Sequence, residues 1–255
     1  MSTDAATDAT AEAGAVPEAA TSTDVYARTD RTTPTRSRER ASYDREFVHG
    51  ILDEGYLCHL GFVRDGAPVV LPTLYARVGE RLYVHGSTGA RALREASDAD
   101  PGMPVCLTVT HVDGIVLARS GFHHSINYRS AVVHGIAREV TDPAERLAAL
   151  DALTDSVVPG RADDSRRGNA KELAATAVLR IDLEEVSAKS RTGGPNDEPE
   201  DLDLPYWSGV LPVAPAYGAP VPSADLAPGI PVPDYLTDHA TAHATDRATD
   251  RVTAR

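Results

Sequence analysis

The stretch Leu82-Tyr83-Val84-His85-Gly86-Ser87-Thr88-Gly89-Ala90-Arg91 concentrates groups able to do chemistry. An apolar, β-prone run breaks there into small residues and then meets a segment of helical character over Ala90–Ser97. Exposed backbone N–H groups, the positive end of the helix, the hydroxyls of Ser87 and Thr88 and the guanidinium of Arg91 would together suit a phosphomonoester. Small residues also populate such turns for backbone reasons alone, so the turn by itself is only a candidate. His85, at the strand end, can donate to an anion. His123-His124 are adjacent in a polar loop, but no second cluster with ligand spacing accompanies them, and no metal site is assigned. His49, His59, His111 and His134 fall within regular elements and are expected to be structural. Cys58 and Cys106 sit in separate apolar runs and are expected to be free, buried thiols. No Gly-x-Gly-x-x-Gly follows a strand, and there is no Walker loop, Cys-x-x-Cys or His-Glu-x-x-His, which sets aside dinucleotide-type Rossmann binding, NTPase activity and the common zinc sites.

The elements that must position these groups follow from periodicity. Tyr43–Glu54 places Phe47, Ile51 and Leu52 at helical spacing, with Ser42 as N-cap and Gly55 as stop. Tyr56–Val63 and Pro68–Val78 make a hairpin about Arg64-Asp65-Gly66, and Gly79-Glu80-Arg81 turns the chain into Leu82–His85. Pro104–His111 and Ile115–Arg119 form a second hairpin about Asp113-Gly114. Tyr128–Val140 is a long strand, bent or bulged at Gly135. Asp142–Val157 is a helix opened by Asp142-Pro143, Lys171–Thr176 a further short helix, and Val178–Ser187 a half-buried strand. Six antiparallel strands with interposed helices satisfy their edges most simply by closing on themselves, which predicts an α+β fold on a small six-stranded antiparallel barrel with flanking helices.

The net charge of the 255 residues is −13, and it is unevenly placed. Residues 1–30 carry six acids against Arg28, and Asn196–Tyr206 carries five acids and no base, so these two segments account for −10 of the total. The remaining core is near neutral and offers no basic face for nucleic acid. Residues 1–30 are expected to form a disordered acidic tail, residues 31–215 a single domain, and residues 216–255 a Pro-rich, low-complexity tail. Neither a secretory leader nor an apolar run long enough for a membrane span is present, and a cytoplasmic location is expected. Tyr206-Trp207, which includes the sole tryptophan, requires an apolar cover.

Five runs, in order and at similar spacing, resemble the flavin-nucleotide-binding, nitroimidazole-resistance-like branch of the pyridoxamine-phosphate-oxidase-like superfamily. They are Leu57-Cys58-His59-Leu60-Gly61-Phe62, Pro68-Val69-Val70-Leu71-Pro72-Thr73-Leu74-Tyr75, Leu82–Ser87, Asn127-Tyr128-Arg129-Ser130-Ala131-Val132-Val133-His134-Gly135 and Ser187-Ala188-Lys189-Ser190-Arg191. The closing Tyr206-Trp207-Ser208-Gly209-Val210-Leu211-Pro212 also fits, so the resemblance runs from about Arg31 to Pro212. It implies a split barrel that forms a homodimer with two FMN sites along the subunit interface. Thr73 and Tyr75 would lie beside the isoalloxazine ring, and His85, Gly86, Ser87 and Arg91 would surround the ribityl phosphate. Arg129 and Ser130 would reach the cofactor from the Asn-Tyr-Arg-Ser strand, and Lys189 and Trp207 from the C-terminal segment. Lys189 or Arg129 would stabilise an anionic reduced flavin. The implied activity is an FMN-dependent oxidoreductase moving electrons from a reduced nicotinamide to a small organic acceptor, a nitroaromatic by family analogy. The alternatives are a non-catalytic flavin- or haem-binding protein and a deazaflavin-dependent reductase. The substrate-binding Arg-x-His pattern of true pyridoxamine-phosphate oxidases is absent.

Overall fold

Ring closure dominates the architecture. The structure, a computed structural model, describes residues 24–90 and 101–242. Its strands are β1 (Ala41–Ser42), β2 (Leu57–Arg64), β3 (Ala67–Val78), β4 (Arg81–Ser87), β5 (Met103–Leu117), β6 (Ser125–Glu139), β7 (Thr176–Asp182), β8 (Glu185–Arg191) and β9 (Gly209–Pro212). All pair antiparallel in the order β1-β8-β6-β7-β4-β3-β2-β5-β9, and β5 pairs with β6 as well. That last pairing closes β6-β7-β4-β3-β2-β5 into a ring of six strands, the α+β barrel expected from the pattern. Alternate side chains such as Leu60, Phe62, Leu82, Val84, Leu107, Val133 and Ile181 fill its interior.

Four helices accompany the ring among the described residues: α1 (Arg45–Glu54), α2 (Pro143–Val157), α3 (Ala170–Ala174) and α4 (Asp234–Ala242). Helix α1 is capped by Asp44, which accepts from Phe47 N at 2.7 Å, and not by the expected Ser42, which β1 pairs with Ala188. Gly55 does end the helix, but at φ −104 it is extended, so left-handed freedom is not its purpose. Instead, the terminal carbonyls are satisfied from the sheet: Tyr75 donates its hydroxyl to Leu52 O at 2.5 Å, and His111 Nε2 donates to Ile51 O at 2.9 Å. A Cβ on residue 55 would stand 2.9 Å from the Tyr75 hydroxyl. Helix α2 opens as expected, with Asp142 accepting from Glu145 N and Pro143 in its first turn. It covers the outer side of β4 and β7 through a second apolar cluster of Ala76, Tyr83, Val140, Ala149, Leu153 and Val178.

Several sequence expectations are corrected. Asp113-Gly114 is no hairpin turn; β5 runs continuously through it, and the register against β6 shifts between Val112 and Gly114 as a bulge. Gly135 carries no register shift; it lies where β6 leaves β8 for β7, and a Cβ there would meet Ile181 Cγ2 at 2.8 Å. The single strand expected over Val178–Ser187 is two, β7 and β8, turning at Leu183-Glu184. The folded domain also exceeds 31–215. Tyr26 is a core residue donating to Glu80 at 3.0 Å, while Tyr235 in α4 donates to Asp164 at 2.8 Å. Nor is the acidic segment after Asn196 free, because Asp197 accepts from both Arg119 N and its guanidinium at 2.8 Å. The helix expected over Ala90–Ser97 lies, beyond Ala90, outside the described residues, as do residues 1–23 and 243–255 of the expected tails. Among the described residues no helix is long and apolar enough to cross a membrane.

Two outcomes follow from the buried groups. Tyr75→Phe removes the donor to Leu52 O inside the core, and urea unfolding should show a loss of about 1–3 kcal/mol. Burial pushes the Cys58 thiol up to about 12, so at pH 8 a thiol-reactive dye should label it only as fast as the protein unfolds.

Candidate functional site

The wall of the barrel is unzipped between β3 and β4, and the register shows where. β3 pairs with β4 only from Tyr75 to Val78; its remaining stretch, Ala67–Leu74, pairs with β2 alone. β4 from His85 to Ser87 pairs with β7 alone. A seam therefore opens between Thr73-Leu74 on one lip and His85-Gly86-Ser87 on the other, with unpaired strand edges along both. The expected site residues Thr73, His85, Gly86 and Ser87 flank this one opening. The Thr73 hydroxyl reaches only Leu74 O at 3.5 Å and is a donor available to a ligand.

The lips differ in what they offer. In the described part of the small-residue turn, Gly89 N donates to Ser87 Oγ at 3.1 Å, Ala90 N to Ser87 O at 2.8 Å and Thr88 N to Ala175 O at 3.0 Å. The Thr88 hydroxyl also donates to Ala175 O. Three N–H groups expected to cradle a phosphate are therefore already used, two within the turn and one on Ala175 O, while the Ser87 O–H has no acceptor. Arg91 lies outside the described residues. His85 turns toward α2 with Tyr83; its Nδ1 is buried without a hydrogen bond, and burial holds its imidazole below the ordinary histidine range. Leu74 of one lip and His85 of the other, with α2, the segment 158–168 and α3, line a cavity of about 500 Å³.

Other expected residues are placed elsewhere. Tyr75 points into the core with its hydroxyl committed to Leu52 O, so it presents no atom to the seam, and burial raises its phenol. Arg129 is corrected for a different reason. The bulge at Asp113 brings that carboxylate within 2.8 Å of the guanidinium, and Glu54 at the end of α1 takes the other side at 2.5 Å. These hydrogen bonds raise its pKa further. Its guanidinium is therefore engaged within the chain by two carboxylates. Ser130 and Lys189 are cross-strand partners, with Ser130 Oγ donating to Lys189 O at 3.2 Å, and both stand on the outer face of β6 and β8. Within one chain, β5 and β2 separate β6 from β3, so this pair and the seam do not meet.

Trp207 remains 68% exposed, lying against Gly209. It has exposed company: Leu211, Ile115 and Ile126 are register neighbours on β9, β5 and β6, and Tyr206 and Phe122 are also open to solvent. Sequence reasoning did not anticipate the Asn127–Arg191 pair. Arg191 donates to Asn127 Oδ1 and to the Gly193 and Gly194 carbonyls at 3.1 and 2.8 Å, tying β8 to the loop that leads toward Trp207. Both residues lie inside the quoted motifs, so a signal was present, although what they bind is set by tertiary contact.

The family model for pyridoxamine 5'-phosphate oxidase matches residues 44–190, and the chain belongs to that family. Two solved structures cover nearly the whole domain. The flavocytochrome Anf3 from Azotobacter vinelandii is 37% identical with a TM-score of 0.77, over 84% of this chain and 98% of its own. The FAD and heme binding protein from Mycobacterium smegmatis is 40% identical with a TM-score of 0.74, over 79% of this chain and 97% of its own. No curated protein matches the chain.

Replacing Arg129 by Met removes the cation that bridges Glu54 and Asp113. Solvent reaches this cluster, so the loss should fall below that of a fully buried pair, at about 1–3 kcal/mol in urea unfolding. Restoring Lys at 129 should recover only part of it, because one ammonium cannot bridge two carboxylates bidentately.

Proposed function

We propose that this chain is a flavin- and haem-binding oxidoreductase that works as a homodimer. The observation that carries the reading is the likeness, at 37% and 40% identity over most of the chain, to a flavocytochrome and to a protein that binds FAD and haem. The residues present fit a flavin. The seam supplies strand-edge backbone and the Thr73 and Ser87 hydroxyls, and Lys189, beside Ser130 on the outer face, supplies a cation. A flavin moves one or two electrons and a haem one, so the pair would couple a two-electron donor to one-electron steps.

The flavin we assign is FAD in place of the FMN expected from sequence. An FMN phosphomonoester needs several donors at its terminus, and three N–H groups in the described part of the Gly86–Ala90 turn already donate within the chain, two to Ser87 and one to Ala175 O. The dimer reading is supported by the exposed row Leu211–Ile115–Ile126 with Tyr206, Trp207 and Phe122, an apolar surface larger than scattered exposure accounts for. A second copy across that face would also supply Ser130 and Lys189 to a seam that lacks them within one chain.

The purified full-length chain should show flavin bands together with a Soret band. Acid release followed by mass spectrometry should return FAD and haem near one each per chain, and light scattering should give twice the chain mass. Release of FMN alone would replace the cofactor assignment, and a colourless protein that takes up neither added flavin nor hemin would sink the whole reading.

A further inference from the structure

The cavity behind the His85 lip is a closer match to a porphyrin than to the flavin, and this inference rests on the haem half of the proposed function. Its walls are apolar, built from Leu74, Leu147, Leu150 and Leu173, and its volume of about 500 Å³ lies in the range of cofactor pockets. His85 projects into it from the end of β4. Other histidines are already engaged: His111 on Ile51 O, His124 on Ser120 O, His49 on the Tyr26 hydroxyl, and His123 beside Glu198. His85 Nδ1, by contrast, is buried with no hydrogen bond, and a buried polar nitrogen left in that condition calls for an explanation. No protein partner fixes the ring's tautomer or flip, so it is free to present a nitrogen to a metal entering the cavity.

The rim supplies the remaining requirement. Arg161, Arg166 and Arg167 line the cavity beside Asp151 and Glu172, a surplus of cations at its mouth. Arg166 donates to Glu172 at 2.9 Å and Arg167 to Asp151 at 2.6 Å, but both guanidinium groups are largely exposed. Exposed pairs of this kind exchange readily for another carboxylate, and a haem carries two propionates. From the imidazole, the leucine walls and the arginine rim, we infer that the cavity between β4, α2 and the segment 158–168 is the haem site, with His85 as axial ligand and Arg166 and Arg167 as propionate partners.

The test uses the full-length chain, loaded with FAD and titrated with hemin. In His85→Ala the Soret band should fall at least tenfold relative to the acid-released flavin. Added imidazole should restore the band by entering the space left by the side chain. Arg166→Ala combined with Arg167→Ala should weaken hemin retention several-fold while its Soret position stays that of the parent. A parent protein that binds flavin but takes up no hemin would overturn the haem reading and this site with it. Parental Soret position and intensity in His85→Ala would overturn the site alone, leaving flavin and haem binding intact. Should His85→Ala fold poorly and lose both cofactors, the rim variant decides: unchanged hemin retention there rejects the site.

Discussion

Everything in this molecule depends on a ring of backbone hydrogen bonds that closes through all six strands yet leaves the wall open where β3 and β4 part. β6 makes closure possible, because its fifteen residues pair with β5 along their length, with β8 over one half and with β7 at the far end. Closure removes the sheet edges that would otherwise invite association. Where β3 and β4 part beyond Tyr75 and Val84, the edge returns, but it returns inside a concave wall where a ligand can satisfy it. The opening is thus an inherent part of the barrel's hydrogen-bond accounting, and the groups that border it are set by register.

Charge is distributed so as to keep that opening distinct from the scaffold. Arg129, which a motif alone would place beside a cofactor, is consumed by Asp113 and Glu54 and serves to tie α1 to the β5 bulge. Lys189 stays on the outer face with its ammonium 3.5 Å from the Arg36 carbonyl, and no carboxylate holds it among the described residues. The division separates a neutralised structural cation from one still able to meet an anion. It follows from side-chain parity, since Arg129 and Ser130 are consecutive on β6 and must face opposite ways.

What was legible in the sequence was what neighbours decide. The hairpin of β2 and β3 and the Asp142-Pro143 start of α2 depend on residues a few positions apart and stand in the structure nearly as expected, while both thiols are free but Cys106 is only half-buried. Asp113-Gly114 misled because the same dipeptide that makes a tight hairpin also makes a bulge, and the choice between them lies with β6 and β9, distant in sequence. The β7–β8 turn did leave a trace: buried positions run odd through Leu179, Ile181 and Leu183, then even at Val186 and Ala188, a change of parity that one strand cannot accommodate. The partners of Arg129 and the burial of Tyr26 left none. Glu54 is 75 positions from Arg129, and Glu80 is 54 from Tyr26, so local pattern held no information about either.

The contact at Gly135 reaches beyond its own strand. With Ile181 Cγ2 standing 2.8 Å from where a methyl group would begin, the two positions share a single allotment of volume at the corner where β6 changes partners. Divergence of this barrel is therefore constrained in pairs: a larger residue at 135 can be inherited only alongside a smaller one at 181, and the order of those two steps decides whether the intermediate folds.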